Sequence, residues 1–257
     1  MLTLISILLF GTGVYERIGI ISAMDVELAY IKEQMQVEYV DTVSRRIFAR
    51  GKIRGVECVL VMAGVGKVNA GITAEILASK YDVDAVIFGG VAGGIDPKLD
   101  IGDIIISEKV FHHDYGVIEP GGFTPWDTVG YAADTFLVRL ARDQAGNVKF
   151  QEIPEKICKE TGHYPRVKTG RVVTGDQFIA SEVKRQWLEK TFRADCVEME
   201  GAAVAQVCAI NRIPFLIIRC LSDLANESAD VDFDAFVDYA ARNSSVLVVE
   251  IVGSLKQ

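Results

Sequence analysis

The sequence predicts one α/β domain with a central, mixed and twisted β-sheet flanked by helices. Segments typical of strands alternate with segments typical of helices along the chain. One strand segment, 84–90, is almost continuously apolar, as expected of a strand covered on both faces of a parallel or mixed sheet. The chain has 257 residues, of which 50% are hydrophobic, which is enough to bury the core of a single large domain.

The first half of this domain is predicted to contain five strands and two helices. Acidic residues open the first helix, where they suit the positive end of the helix dipole. Arg54 and Gly55 separate two β-rich runs and predict a hairpin. Four glycines in 89–94 predict a ligand-binding loop at the end of the fourth strand. The strands are 18–24, 46–53, 56–62, 84–90 and 101–107, and the helices are 25–31 and 70–80.

The second half begins with an irregular tract, 111–130, which we expect to be a loop that covers a pocket or contacts a partner chain. Ser181 is the predicted N-cap of a later helix. The segment 171–179 is predicted to be a strand that runs into a polar turn, and the remaining predicted strands are 194–199 and 214–220. The remaining predicted helices are 132–144, which 153–161 could extend, 181–191, 201–211 and 234–252.

Composition excludes several functional classes. The net charge of −8 and the absence of a basic stripe exclude nucleic acid as an expected partner. The five cysteines are odd in number, widely spaced and mostly set in apolar runs, which favours buried free thiols and a cytoplasmic protein. The apolar run 2–10 is too short to span a bilayer as a helix. We set residues 1–16 apart as an extended N-terminus or the remnant of a signal, which leaves export as the alternative, and assign 17–257 to the domain.

Two motifs that suggest a bound ion do not fit the known patterns. The glycine-rich turn 63–70 contains Lys67 but lacks the spacing of a phosphate-binding loop. His112 and His113 precede Asp114, but adjacent residues on a strand point in opposite directions and no third histidine lies at metal-ligand spacing. We therefore expect neither a metal nor a cofactor.

Three acidic residues stand where predicted strands lead into helices. Glu27 has an ordinary interpretation as an acid in the first turn of a helix, and Asp223 could be an N-cap. Glu200 is harder to explain in this way because its neighbours are apolar or small, so that its carboxylate would lose hydration. None of the three is specific by itself.

Taken together, these segments resemble the 5′-methylthioadenosine/S-adenosylhomocysteine nucleosidases of the purine nucleoside phosphorylase superfamily. The pair VEMEGAA and R-x-x-S-D is typical of the superfamily, and the opening segment with its acids is typical of the nucleosidases. The resemblance covers nearly all of the chain from Arg17 and implies a nucleoside phosphorylase-like fold. The matching segments are IGIISAMDVELAYI (18–31), MAGVGKVNA (62–70), GGVAGGIDPKLDIGDIII (89–106), TGDQFI (174–179), VEMEGAAVAQVC (197–208) and IRCLSDLAN (218–226).

The resemblance implies that the enzyme hydrolyses the N-ribosidic bond of 5′-methylthioadenosine or S-adenosylhomocysteine and releases adenine. Such a reaction needs an acid for the leaving purine and a base for the water. By similarity Asp223 is the general acid and Glu27 the residue that activates the water. Met199 and Glu200 would bind the ribose hydroxyls.

The same resemblance implies which residues bind the purine and the 5′-substituent of the nucleoside. Phe178 would stack on the purine and the main chain of Ile179 would bind its edge. The implied pocket for the 5′-substituent consists of Met24, Val65 and Phe233. The family completes that pocket with a loop of a second subunit, which implies a homodimer. Phe123, Pro125 and Trp126 are candidates for that loop.

One departure from the family pattern and two alternatives stay open. Val91 stands where nucleosidases commonly have Ser or Thr, so a hydroxyl that would orient the ribose or the acid is absent. The first alternative is a nucleoside phosphorylase, although the acids Asp25 and Glu27 would repel the phosphate that such an enzyme binds with arginines. The second is a non-catalytic nucleoside-binding protein of the same fold. The preferred nucleoside is not determined by the sequence.

Overall fold

The fold is built on one large mixed β-sheet, which confirms the predicted class. The computed structural model describes residues 15–152 and 164–255. The apolar run 2–10, the predicted helical extension 153–161 and Cys158 therefore lie outside the described residues. The other four cysteines are free and buried. None of the helices in the described part of the chain is long and apolar enough to cross a bilayer.

The described residues form twelve strands and six helices. The strands are β1 (Arg17–Ser22), β2 (Met35–Val43), β3 (Arg46–Ile53), β4 (Val56–Met62), β5 (Ala85–Gly94), β6 (Ile104–His112), β7 (Gly116–Glu119), β8 (Gly122–Pro125), β9 (Tyr131–Ala132), β10 (Val167–Thr174), β11 (Cys196–Glu198) and β12 (Phe215–Asp223). The helices are α1 (Asp25–Gln34), α2 (Lys67–Ser79), α3 (Thr135–Ala145), α4 (Glu182–Phe192), α5 (Gly201–Asn211) and α6 (Ala229–Gly253).

The main sheet has the strand order β11-β10-β6-β12-β5-β1-β4-β3-β2, with β9 paired to β6. At its centre, β5 runs parallel to both β1 and β12. β11 pairs with β10 and also, antiparallel, with β5, so that five strands close into a ring. Because β1, β5 and β12 are parallel, their carboxyl ends meet at one edge of the sheet, where open α/β sheets bind ligands.

The helices cover both faces of the sheet. α1 packs on α6, which also contacts β5 and β12, and α2 packs on α5. All residues of β5 and β12 are buried, as the apolar run at 84–90 predicted. The β3–β4 hairpin has the predicted bounds, and Ser181 caps α4 by accepting a hydrogen bond from the Lys184 amide.

Three predictions need correction, and one strand was not predicted. The glycine run 89–94 is not a loop, because β5 continues through Gly94. The tract 111–130 is not irregular throughout, since β6 extends through His112 and β7 and β8 form a hairpin. Asp223 is the last residue of β12 rather than an N-cap, and α6 begins after Ser228. The edge strand β2 was not predicted because most of its side chains are exposed, which removes the alternation of apolar and polar residues.

Candidate active site

A cavity of about 340 Å³ opens where β1, β5 and β12 end. It contains all three acids that the sequence singled out, although they are far apart in the chain. Its acidic lining residues are Glu27, Glu198, Glu200, Asp223, Asp230 and Asp234, and its larger apolar ones are Met24, Val65, Val91, Phe178, Met199 and Phe233. A concave site with several carboxylates and an apolar wall is a candidate active site.

Glu27 is fixed by backbone amides from two strand ends. One carboxylate oxygen accepts hydrogen bonds from the amides of Ala23 and Met24 at 2.8 and 2.9 Å, and the other accepts from the Val91 amide at 2.9 Å. The residue is thus both a first-turn acid of α1 and a lining residue of the cavity. Its burial raises the pKa of Glu27, and the nearby Arg219 and the amides offset only part of that rise. A buried carboxylate with a raised pKa is suited to accept a proton.

Arg219 is the buried cation behind the acids. Its side chain is 1% exposed and its guanidinium contacts Glu198 at 2.5 Å and Glu200 at 3.9 Å. The guanidinium also lies 4.1 Å from the centre of the Phe88 ring. Arg219 and Glu198 belong to the R-x-x-S-D and VEMEGAA motifs, but a sequence pattern does not show that residues 21 positions apart form a buried pair.

Glu198 and Glu200 differ in how many hydrogen bonds their carboxylates accept from the protein. Glu198 accepts from Arg219, from the amides of Glu200 and Gly201, and from the Thr174 hydroxyl. Glu200 accepts from the Gly66 amide at 2.7 Å, which leaves hydrogen-bonding capacity for a ligand. Burial and the adjacent Glu198 raise the pKa of Glu200 to about 8. Glu198 therefore orders the site, and Glu200 can bind a ligand hydroxyl.

Asp223 is held in one orientation at the end of β12. Its Oδ1 accepts from the Ala225 amide at 2.8 Å and its Oδ2 from the Ser222 hydroxyl at 2.9 Å. Burial raises the pKa of Asp223 to about 6, against the lowering effect of these two hydrogen bonds. Val91 offers no hydroxyl to orient Asp223, but the hydroxyl of Ser222 orients this acid.

Two glycines of β5 provide room for the acids. A methyl carbon on Gly90 would lie 2.6 Å from Glu27 Oε1 and 2.9 Å from Arg219 Nη1. A methyl carbon on Gly93 would lie 2.8 Å from Asp223 Oδ1. Carbon atoms do not approach oxygen or nitrogen this closely without displacement. The glycine run thus serves close packing of functional side chains within a strand.

The apolar residues named from the sequence are also brought together, with one exception. Phe178 is 49% exposed and meets Phe233 edge to face, with ring centres 5.8 Å apart. Met24 and Val65 line the same cavity. The side chain of Ile179 is buried in a separate apolar cluster with Phe111 and does not line the cavity, so only its main chain can face a ligand.

Asp230 and Asp234, which were not predicted as site residues, line the cavity from the first turns of α6. The predicted helix began at Asp234, so these residues were placed outside or at the start of it. Phe123, a candidate for the loop that completes a second subunit's pocket, packs against Trp187 of its own chain, with ring centres 5.9 Å apart. Trp126 remains 58% exposed.

The described lining residues include no cation for a phosphate and no group of metal ligands. No lysine or arginine belongs to the described residues that line this cavity. A dianion such as phosphate would thus face carboxylates without a cation to bind it. Within 15–152 and 164–255, no three His, Cys, Asp or Glu side chains are grouped so as to bind a metal ion.

The fold and this cavity define a nucleoside-cleaving enzyme of the phosphorylase type. The family model described as "Phosphorylase superfamily" matches residues 17–253. A nucleosidase for 5′-methylthioadenosine and S-adenosylhomocysteine from Mycobacterium tuberculosis is 35% identical over 246 residues, which cover 91% of this chain and 96% of the relative.

Solved structures show the same relationship. A nucleosidase of this name from Neisseria meningitidis, in complex with methylthio-immucillin-A, has a TM-score of 0.81 and 33% identity, covering 93% of this chain and 99% of the other. Futalosine hydrolase of Helicobacter pylori has a TM-score of 0.80 and 29% identity, covering 93% and 98%. The chain belongs to the 5′-methylthioadenosine/S-adenosylhomocysteine nucleosidase family, within the phosphorylase superfamily.

We expect Gly90→Ala to lower kcat/KM by about 100-fold, because the added methyl group displaces Glu27 and Arg219 and a shift of about 1 Å in a catalytic group can have that effect. The measurement is adenine release from methylthioadenosine by the purified variant. Gly146→Ala is the matched control, since its methyl carbon would make only an ordinary contact of 3.6 Å, with Asp143. Full activity in Gly90→Ala would contradict this account of the strand.

Proposed function

We propose that this protein hydrolyses the N-ribosidic bond of 5′-methylthioadenosine and S-adenosylhomocysteine, releasing adenine and the 5′-thio-substituted ribose. The observation that carries the proposal is the pair Glu27 and Asp223, both buried, both with raised pKa values and both lining one cavity that no lysine or arginine of the described chain enters. A base and an acid on one cavity suit hydrolysis by general acid–base catalysis.

In the proposed reaction, protonated Asp223 gives its proton to an imidazole nitrogen of the purine as the C1′–N9 bond breaks. The electron pair of that bond leaves with the base, and positive charge develops on the ribose. Ionised Glu27 takes a proton from the water whose oxygen bonds to C1′. At the end Asp223 is ionised and Glu27 is protonated, and proton exchange with solvent restores both.

Binding of the nucleoside uses the other residues of the cavity. Glu200 and the Met199 backbone take the ribose hydroxyls, and Phe178 stacks on the purine while the Ile179 main chain binds its edge. Met24, Val65 and Phe233 form an apolar surface for the 5′-alkylthio group. The negative charge of ionised Glu27, close to the positive charge that develops on the ribose, stabilises the transition state more than the neutral substrate.

We further propose that the enzyme is a homodimer. α2 and α5 pack side by side, and their outer side chains include Val68 and Ile210, each 72% exposed, and Ile72, 42% exposed. Val65, 49% exposed, extends this apolar face to the edge of the cavity. Several exposed apolar side chains on two adjacent helices are typical of an interface.

Sedimentation equilibrium tests the dimer. The wild type is expected at the mass of two chains. Val68→Glu is expected at the mass of one chain, because it would bury an unpaired charge in the interface. Its KM for methylthioadenosine should rise, because the second subunit would no longer complete the pocket. Val183→Glu, on the exposed face of α4, is the control that keeps the wild-type mass. A monomeric wild type contradicts the proposal.

We also infer that residues 17–257 act as one catalytic domain and that the protein works in the cytoplasm. All described strands of this range except the β7–β8 hairpin belong to one main sheet, and four buried free cysteines suit a reducing compartment. Recovery of the protein from the exported fraction of cells would contradict the location.

The direct test of the function is adenine release with and without phosphate. We expect equal rates in both buffers, with methylthioadenosine and adenosylhomocysteine as substrates and 5′-deoxyadenosine completing the panel. Asp223→Asn should lower kcat by about 1000-fold, within the range of a lost general acid, yet still bind the nucleoside. Product that forms only with phosphate would indicate a phosphorylase, and a wild type that binds without releasing any base would indicate a binding protein.

The raised pKa of Asp223 predicts the alkaline limit of activity. Because the protonated acid is the active form and its pKa is about 6, kcat/KM should fall about tenfold per pH unit above that value. Glu27 must be ionised, so activity should also fall at low pH, with the limit above the ordinary glutamate value of 4.5. The profile of kcat/KM from pH 4 to 9 measures both limits.

Ser222→Ala provides a matched variant for this profile. The Ser222 hydroxyl lowers the pKa of Asp223, so its removal should move the alkaline limit to higher pH. An alkaline limit that is absent in the wild type, or that moves to lower pH in Ser222→Ala, would show that Asp223 is not the acid.

A further inference from the structure

Lys67, Asp114 and Asp176 form a closed ring of polar contacts beside the cavity, which we call the Lys67 clasp. Lys67 Nζ donates to Asp114 Oδ1 at 2.6 Å. The other oxygen of Asp114 accepts from the Asp176 amide at 2.9 Å. Asp176 Oδ1 in turn accepts from the Lys67 amide at 2.8 Å. None of the three residues lines the nucleoside cavity, so the catalytic proposal does not account for them.

The clasp connects three separate segments of the fold. Lys67 is the first residue of α2, Asp114 follows the end of β6, and Asp176 lies in the turn after β10. These segments are far apart in sequence and meet only through the fold. The ring fixes their relative positions with one ion pair and two hydrogen bonds to backbone amides.

Each end of the clasp is next to a residue that we assign to nucleoside binding. Gly66, directly before Lys67, donates its amide to Glu200 Oε1 at 2.7 Å. Asp176 stands two residues before Phe178, which lines the cavity. Movement of the clasp would therefore shift both the ribose-binding carboxylate and the ring that stacks on the purine.

The ion pair is sheltered enough to order the segments. The side chains of Lys67 and Asp114 are 22% and 16% exposed. Partial burial by itself would raise the pKa of Asp114, but the Lys67 ammonium holds it below the ordinary value. Ion pairs on the open surface contribute little, whereas a sheltered pair with backbone hydrogen bonds is a stronger constraint.

We propose that Lys67 and Asp114 are positioning residues of the nucleosidase, which set the Gly66 amide against Glu200 and the Phe178 turn against the purine. The proposal rests on the function proposed above. Glu200 and Phe178 contact the ribose and the purine already when the substrate binds, before the reaction. Loss of the clasp should therefore raise KM more than it lowers kcat.

The test compares Lys67→Met, Asp114→Asn and the double variant. Each single change should lower kcat/KM for methylthioadenosine by about tenfold, chiefly by raising KM. Because the effects of residues that act together are not additive, kcat/KM of the double variant should be no lower than that of the less active single variant. Asp96→Asn is the matched control, because Asp96 also accepts from one lysine, Lys168 at 2.7 Å, and one backbone amide, that of Lys98 at 3.0 Å, and is 19% exposed. It should stay within twofold of the wild type.

Hydrogen exchange gives a second readout that does not depend on activity. Peptides covering 64–68 and 174–178 should exchange faster in both clasp variants and as in the wild type in Asp96→Asn. Single effects that multiply in the double variant, equal losses in Asp96→Asn, or unchanged exchange would each overturn the proposal. A wild type that cleaves no nucleoside would contradict the proposed function instead, and the exchange experiment would still decide whether the clasp orders these segments.

Discussion

The arrangement of the cavity depends on one buried guanidinium. Arg219 is the cation next to Glu27, Glu198 and Glu200, and without it three carboxylates would be buried together in an apolar interior. Glu198 is its closest partner and the fixed member of the group, since its oxygens also accept from two amides and a hydroxyl. One cation cannot neutralise three carboxylates, and burial therefore raises the pKa values of Glu27 and Glu200.

This imbalance of charge is what makes the site suited to its proposed reaction. In that proposed reaction ionised Glu27 would face the positive charge that develops on the ribose, and Asp223, whose pKa is raised to about 6, would donate the proton to the purine. The glycines of β5 permit the arrangement because Gly90 and Gly93 leave space that any larger residue would fill. The same crowding of acids disfavours phosphate, which separates this cavity from that of a phosphorylase.

Much of this could be predicted from the sequence, because local patterns carry the information. The β3–β4 hairpin, α5 and the Ser181 cap follow from turn, spacing and capping preferences that act within a few residues. The three acids were found because their surroundings are apolar or because they match a family motif. Each of them lines the cavity.

The rest could not be predicted because it depends on contacts between distant residues. Glycines have weak strand preference, so the continuation of β5 through Gly94 follows only from the side chains packed against it. The pairing of Arg219 with Glu198 and the Lys67 clasp join segments whose proximity exists only in the folded sheet. Asp230 and Asp234 enter the cavity because α6 starts earlier than its apolar spacing suggests.

The central claim is that Glu27 is the base, held in place by three backbone amides and close to Arg219. The variant Glu27→Gln tests this claim most directly. The amide keeps the size of the side chain but cannot accept the proton of water. Single-turnover cleavage of methylthioadenosine should slow by about 1000-fold, as expected for loss of a general base, while the equilibrium dissociation constant of the nucleoside stays within about threefold of the wild type. Cleavage at the wild-type rate in Glu27→Gln would contradict the account.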